Sequence, residues 1–206
     1  MTSKADLSSP RPTLVLASQS PRRASLLREA GFEPVIARSA FVDDPAPPQG
    51  HEPLLLAVEL ATKKATNVIV EPSWYRPVVI GADTISVAVD GSLLGQPQSR
   101  EEARQMIESF MDHTHHMVTG VALWSPETQQ QEVFADTAEV WMGRVSDEVL
   151  NAYLDTDLWR GKAGGYSLAH LQEKQWPVRV GGDETTVLGL PMRRLLPRLA
   201  AWGITP

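Results

Sequence analysis

Several short stretches carry side chains able to do chemistry on a polyanion. Ser18-Gln19-Ser20-Pro21-Arg22-Arg23 follows the apolar run Leu14-Val15-Leu16-Ala17, so a strand end feeds a tight turn and a helix start. Ser20 is a good N-cap and Pro21 fits the first helical position. Backbone N–H groups at such a helix start, with two planar guanidinium groups, suit a polyphosphate. A capped surface helix with solvated arginines fits the same letters, and on this stretch alone it is the commoner case. Asp83 closes the buried run from Val78 to Ala82, and ligand sites in α/β sheets favour the carboxyl ends of strands. An Asp there can hold a metal, take a proton from water, or satisfy a loop backbone.

Asp43-Asp44, ahead of a proline-rich loop, offers a second carboxylate or simply a solvated turn, and the turn is favoured. Lys64 and Lys162 could neutralise phosphate charge, although lysines taken singly are mostly exposed. Lys162 sits in Gly161-Lys162-Ala163-Gly164-Gly165-Tyr166, where glycine lets backbone approach a ligand closely. His113, His115 and His116 form a cluster; on a strand His113 and His115 would share a face, but a metal site there lacks a third ligand. No Gly-x-Ser-x-Gly elbow, Walker loop or Gly-x-Gly-x-x-Gly occurs, so a hydrolase triad and those nucleotide loops are unsupported.

These residues need elements to position them. The run 14–17 reads as a buried strand, with a helix over Leu26, Leu27 and Ala30 stopped at Gly31. Residues 44–53 read as a loop, 54–67 as a helix, 71–77 as a loop, and Val78 to Ile80 as a strand that ends at Gly81-Ala82-Asp83-Thr84. Asp90-Gly91 signals a hairpin, and Ser99-Arg100-Glu101-Glu102 a capping box before the helical face Ala103, Met106, Ile107 and Phe110. Met117–Trp124 and Val133–Trp141 read as strands, Ser146 as the cap of a helix through Leu154, and 178–180 as a weak strand. Pro191 opens a last helix that Pro197 should kink or shorten. Strands and helices alternate, so the fold class is α/β with a mixed sheet.

Composition narrows the function. With 42% hydrophobic and 21% charged residues in a chain of 206, a sizeable core is available. A net charge of −6 without a Lys/Arg run argues against a nucleic-acid partner, yet a small anionic substrate is allowed where a few cations converge. The absence of cysteine excludes disulfides and thiolate chemistry. Met1 to Arg11 lacks an apolar signal core and no apolar run approaches a bilayer span, so the expectation is a cytoplasmic protein with no membrane partner. Residues 1–13 are expected to be a disordered tail and 14–206 one domain.

Taken in order, the motifs are more specific than any one of them. Leu16-Ala17-Ser18-Gln19-Ser20-Pro21-Arg22-Arg23, Val42-Asp43-Asp44, Ala61-Thr62-Lys63-Lys64-Ala65, Gly81-Ala82-Asp83-Thr84, Thr114-His115 with Val118-Thr119-Gly120-Val121, Trp159 through Tyr166, and Val187-Leu188-Gly189-Leu190-Pro191 together resemble the Maf (septum formation protein) family of nucleotide pyrophosphatases. The resemblance implies a central mixed sheet with flanking helices and two lobes around a cleft. It implies hydrolysis of a nucleoside triphosphate to the monophosphate and pyrophosphate, a divalent metal (Mg2+, Mn2+ or Co2+) and a homodimer. Carried over residue by residue, it implies substrate binding by Ser18, Ser20, Arg22, Arg23, Thr84 and Gln96, and catalysis by Asp83 with Lys64 and Lys162. The metal would sit on Asp83 and Asp44. Gly-Ala-Asp-Thr together with Lys-Ala-Gly-x-Tyr is similar to the branch that prefers dTTP and UTP. The chain departs from the family at Gln96, where Gly-Lys-Pro is usual, at Asp44, where Glu is usual, and at Leu168-Ala169-His170, where Ile-Gln-Gly is usual. Those departures motivate the alternative of a low-activity nucleotide-binding regulator of cell division.

Overall fold

Three buried residues, Leu14–Leu16 (β1), start the sheet, because an apolar run this short and β-branched at its centre hides best between two neighbours. It pairs in parallel with Val35–Ile36 (β2) on one side and with Val78–Val87 (β3) on the other, in the register Leu14↔Val78 to Leu16↔Ile80. This computed structural model describes residues 11–42, 44 and 47–206. Most of the expected N-terminal tail, and Asp43, lie outside the described residues. The last residue of that expected tail is already tied in: the Thr13 N–H donates to the Tyr75 carbonyl at 2.8 Å.

The full sheet has seven strands, in the order β2-β1-β3-β5-β6-β7, with Leu93–Leu94 (β4) paired only to β3. His113–Trp124 (β5), Gln131–Met142 (β6) and Val178–Gly181 (β7) complete it in antiparallel pairing. β5 starts at His113, so the histidine cluster is strand. The expected end of β3 at Gly81 to Thr84 is corrected: the strand runs on to Val87, with Asp83 opposite Gly120 of β5. It is β1 that stops, at Leu16, while β4 pairs only with Ser86 and Val87. Among the described residues, the β3 edge from Gly81 to Ile85 therefore has no strand beside it on that side. A notch is left in the sheet, opened by the end of one strand and closed by the start of another.

Strand alternation divides the two faces. Val79 packs with Ala61 and Ala65 of the helix Pro53–Thr66 (α2), and Ile85 with Leu56 and Ala57. Ile80 and Ala82 point the other way, into a core built with Leu26 and Leu27 of Pro21–Glu29 (α1) and Leu195 and Leu199 of Met192–Ala201 (α7). α2 lies so close that a Cβ on Gly81 would overlap the Ala61 carbonyl oxygen, and one on Gly120 would overlap the Ala57 carbonyl. Helix backbone thus rests on strand backbone. α7 continues across Pro197, so of the expected kink or shortening the shortening does not occur, because its apolar stripe Met192, Leu195 and Leu199 is buried on both sides of the proline.

A second core gathers Arg100–Phe110 (α3), Asp147–Leu154 (α4), Leu168–Glu173 (α5), Trp159 and Trp176 against the far ends of β5 and β6. The Ser99 hydroxyl accepts from the Glu102 N–H at 3.1 Å, as expected, but the Glu102 carboxylate reaches the Gln98 N–H at 2.7 Å instead of closing a reciprocal box. Asp183 caps Glu184–Val187 (α6), accepting from the Thr185 N–H. The two cores form the two expected lobes, and the segment from Gly161 to Tyr166 crosses between them.

Candidate active site

The notch is lined from both sides. The turn after β1 brings Ser18, Gln19, Ser20 and α1, while the turn after β4 brings Gln96. The 161–165 segment arrives from the second core and is fastened by the Gly164 N–H donating to the Gly95 carbonyl at 3.0 Å. Two cavities share Arg23, Thr84 and Lys162. The outer one, of about 660 Å3, also holds Lys64, Asp83 and Gln96. The inner one, of about 230 Å3, is walled by Met117, Tyr166, Leu168, Val187 and Leu188.

Asp83 and Thr84 are consecutive on β3, so their side chains leave opposite faces of the sheet. Asp83 turns toward α2 and is hydrogen-bonded to the Lys64 ammonium, both side chains being nearly enclosed at 12% and 13% exposure. Helix α2 makes this pairing possible: Ala61 and Ala65 sit directly on Gly81, which holds the turn carrying Lys64 over the Asp83 carboxylate. Thr84 turns toward α1 and accepts from Arg23 Nη2 at 3.0 Å.

Arg23 is held at every nitrogen. Nε donates to the Gly189 carbonyl at 2.7 Å and Nη1 to the Ser18 hydroxyl at 3.2 Å. Gly189 has φ +98°, and a Cβ there would press on the Arg23 guanidinium at 3.1 Å, so glycine is needed for both conformation and space. Arg22 lies apart from the outer cavity. It lines the inner one and donates to Ser167 Oγ at 2.8 Å across the lobes; burial lowers its pKa from the usual arginine range. Lys162 lies at the junction, and burial, followed by the nearby Arg22 charge, pulls its pKa below that of an ordinary lysine. A phosphate beside it would favour the ammonium form again, and the attraction is stronger where water is largely excluded.

Ser20 corrects the capping expectation. It occupies the N-cap position of α1, yet its side chain makes no capping bond; instead the Ser18 hydroxyl accepts from the Ser20 N–H at 3.2 Å. The first turn of α1, which lines both cavities, thus carries no side-chain cap, as an anion site at a helix start allows. Gln96 is exposed at the rim, its amide oxygen near Gly161. Asp44 is exposed and is not among the described residues lining either cavity, although Val42 is. Among those lining residues Asp83 is the one carboxylate, and the described residues contain no group of three or more His, Asp or Glu able to cage a metal. The histidine cluster dissolves for the same reason: His115 is fully buried and bonds the Tyr166 hydroxyl at 2.9 Å, while His113 is exposed.

Sequence reasoning assigned no role to Arg38, Thr119, Ser167 or Gly189, and weighed Arg160 only as a cation able to stand in for the lysine absent at Gln96. Arg38 and Arg160 face the outer cavity, Arg38 against the Gln19 amide oxygen and Arg160 stacked 4.2 Å from the Trp159 ring. Thr119 and Gly189 lay inside motifs already noted, so only their partners were missing. No helix of the described residues is long and apolar enough to cross a membrane.

The family model for Maf-like proteins matches residues 13–202 of this chain. A protein of Brucella abortus named dTTP/UTP pyrophosphatase is 36% identical over 194 residues, covering 92% of this chain and 91% of its own length. One of the same name from Nitrobacter winogradskyi is 35% identical over 186 residues, 88% of each chain. Another, from Rhodopseudomonas palustris, is 34% identical over 197 residues, covering 94% of this chain and 93% of its own. Matches of this length take in both lobes, the notch and every segment that lines it, and they make the motif resemblance a membership: the chain belongs to the Maf-like protein family.

Proposed function

We propose that this protein hydrolyses a nucleoside triphosphate, dTTP or UTP in preference to others, to the monophosphate and pyrophosphate. The observation that carries the reading is the division of the cleft: a basic outer cavity holding the Asp83–Lys64 pair opens into a smaller inner one, where Met117, Tyr166, Leu168, Val187 and Leu188 wall a space that Arg22 and Thr84 also reach. The names of the family relatives support the reaction and the pyrimidine preference.

The base would enter the inner cavity and the triphosphate would lie across Arg23 and Lys162 into the outer one. Arg23, fixed by three partners, stabilises phosphate charge without reorganising. The open first turn of α1 adds backbone N–H donors. When Lys64 turns to a phosphate oxygen, the Asp83 carboxylate is released to orient a water and accept its proton as the water oxygen bonds to the α-phosphorus. The bond from that phosphorus to the bridging oxygen breaks, and pyrophosphate leaves toward Arg38, Arg160 and Lys162.

One carboxylate among cations cannot cage a divalent ion, but it fits an ion that arrives chelated by the triphosphate and needs one protein oxygen. Asp83 would be that ligand, and the ion would add charge neutralisation at the phosphates. Asp44, two residues beyond Val42 of the outer wall, would be the second ligand that the family resemblance implies. The homodimer implied by the family remains part of this reading, and light scattering tests it.

The deciding assay is release of pyrophosphate from UTP and dTTP with Mg2+, Mn2+ or Co2+, run in heavy-oxygen water. Label in the monophosphate is the expected result. Label only in orthophosphate sinks the reaction, and tight nucleotide binding without turnover leaves the regulator.

A further inference from the structure

We propose that Thr119 is a positioning residue that fixes the proton of the Thr84 hydroxyl, so that Thr84 meets a bound base as an acceptor only and selects a base with an imide N–H. This rests on the reading of the cleft as a nucleoside triphosphate site, and it goes further by deriving the base edge from proton positions.

The argument follows from which atoms can donate. The Thr119 hydroxyl lies 2.7 Å from the Thr186 carbonyl oxygen, which can only accept, so the single Thr119 proton is spent there. The Thr119 and Thr84 hydroxyl oxygens are 2.9 Å apart, and with the Thr119 proton already used, the proton between them belongs to Thr84. Arg23 Nη2, which can only donate, occupies one Thr84 lone pair from 3.0 Å. What Thr84 retains is one lone pair and no proton. Thr84 lines both cavities, so that lone pair belongs to the ligand side of the network.

The relay is built to hold its direction. Thr84 and Thr119 are direct cross-strand neighbours of β3 and β5, and Asp136 of β6 is next in the same row. Thr186 of α6 is seated on that row by two bonds, its carbonyl accepting from Thr119 and its hydroxyl donating to Asp136 Oδ2 at 2.6 Å. Thr119 and Thr186 are both 0% exposed, so water cannot reverse the chain. Thr119 lines neither cavity and acts only through Thr84. Arg22 and Lys162, which can only donate, line the same inner cavity. An acceptor in a cavity whose other side chains can donate is matched by an imide edge, in which an N–H lies between two carbonyls, as in uracil and thymine. Cytosine offers a bare ring nitrogen at that position and would face Thr84 lone pair to lone pair.

The test is the ratio of kcat/KM for UTP over CTP, and for UTP over the N3-methyluridine triphosphate, in wild type and in Thr119→Val, Thr119→Ser and Thr84→Val. The same ratios are read by calorimetry from Kd values of the non-hydrolysable α,β-imido analogues of the three nucleotides. A missing acceptor–donor match should cost wild type at least about tenfold on both disfavoured nucleotides. Thr119→Val frees the Thr84 proton to turn toward cytosine, so the ratio should fall by about tenfold, chiefly through KM; Thr119→Ser should restore it. Equal use of UTP and its N3-methyl analogue by wild type overturns the proposal. So does a Thr119→Val ratio equal to the wild-type one. If Thr119→Val does not fold, Thr84→Val decides: an undiminished UTP preference without that hydroxyl is equally fatal. Absence of turnover on every triphosphate would defeat the enzymatic reading alone, since the calorimetric ratios still decide the relay.

Discussion

The outer and inner cavities meet at consecutive residues of one strand, Asp83 and Thr84, and differ in what those two residues bring to them. On the Asp83 face, Arg23, Arg38, Lys64, Arg160 and Lys162 surround a single described carboxylate. On the Thr84 face, Met117, Leu168, Val187 and Leu188 join Arg22, Arg23 and Lys162 around a space about a third the size, and Thr84 is bonded there to Arg23 and Thr119. The sheet itself is the partition. Strand alternation puts the carboxylate on one face and the Thr84 hydroxyl on the other, while Arg23 and Lys162 serve both cavities.

The sharpest way to break this comparison is Asp83→Asn. Loss of the carboxylate should cut turnover by about a thousandfold, within the range for a general base, while leaving the order of base preference intact. A variant that keeps more than about a tenth of the wild-type rate would show that Asp83 is a structural partner of Lys64 and no more. Next comes Arg23, which belongs to both sides. Arg23→Ala should lower kcat/KM by about a hundredfold, and Arg23→Lys should recover little of it, because an ammonium cannot reach three acceptors in a planar fork. Full rescue by lysine in steady-state kinetics would reduce Arg23 to a point charge.

A third effect sits behind the inner wall. Burial, with a smaller contribution from His116, lowers the His115 pKa from 6.5 to about 3. In the unfolded chain His115 takes up a proton near its ordinary value, and in the folded protein it does not until about pH 3. Its contribution to stability is therefore complete above the unfolded value and is lost as pH falls, at about 1.4 kcal/mol per pH unit, or about 2 kcal/mol by pH 5. His115→Gln, unable to protonate, should lose correspondingly less between pH 7 and 5 in urea titrations. Equal losses in both proteins would place the acid sensitivity elsewhere. The smallest effect is expected at Gln96. Restoring the family lysine with Gln96→Lys should change kcat/KM by less than about threefold, since Arg160 and Lys162 already charge the same wall and an added cation meets their repulsion. A tenfold gain would show instead that the rim of the outer cavity is short of charge.

The α/β class, the first helix and its glycine stop, the helix under Lys64 and the 161–165 loop were all legible, because local periodicity and turn residues dictate them. Asp83 was misplaced at a strand end because Gly81 looked like a breaker. That glycine instead makes room for α2, a packing fact no local pattern encodes. β2 and α6 were missed because two and four residues give too little pattern to read. Of the site, the residue types were readable and their partners were not. Arg22 finds Ser167 and Arg23 finds Gly189 across sequence separations of 145 and 166 residues, and Ser20 makes no capping bond, its own N–H being bonded to Ser18.

The seating of α2 on Gly81 and Gly120 sets a limit on how this protein can be altered. Most helices ride on a cushion of side chains, and successive substitutions let them drift by an ångström or more over evolution or in the hands of an engineer. This one has no cushion: its distance from the sheet is the contact distance of two main chains, which no choice of core residues can shorten or stretch. The alignment of Lys64 with Asp83 is thereby insulated from repacking anywhere else in the molecule, and the rims, Arg38, Gln96 and Arg160, are where variation is cheap.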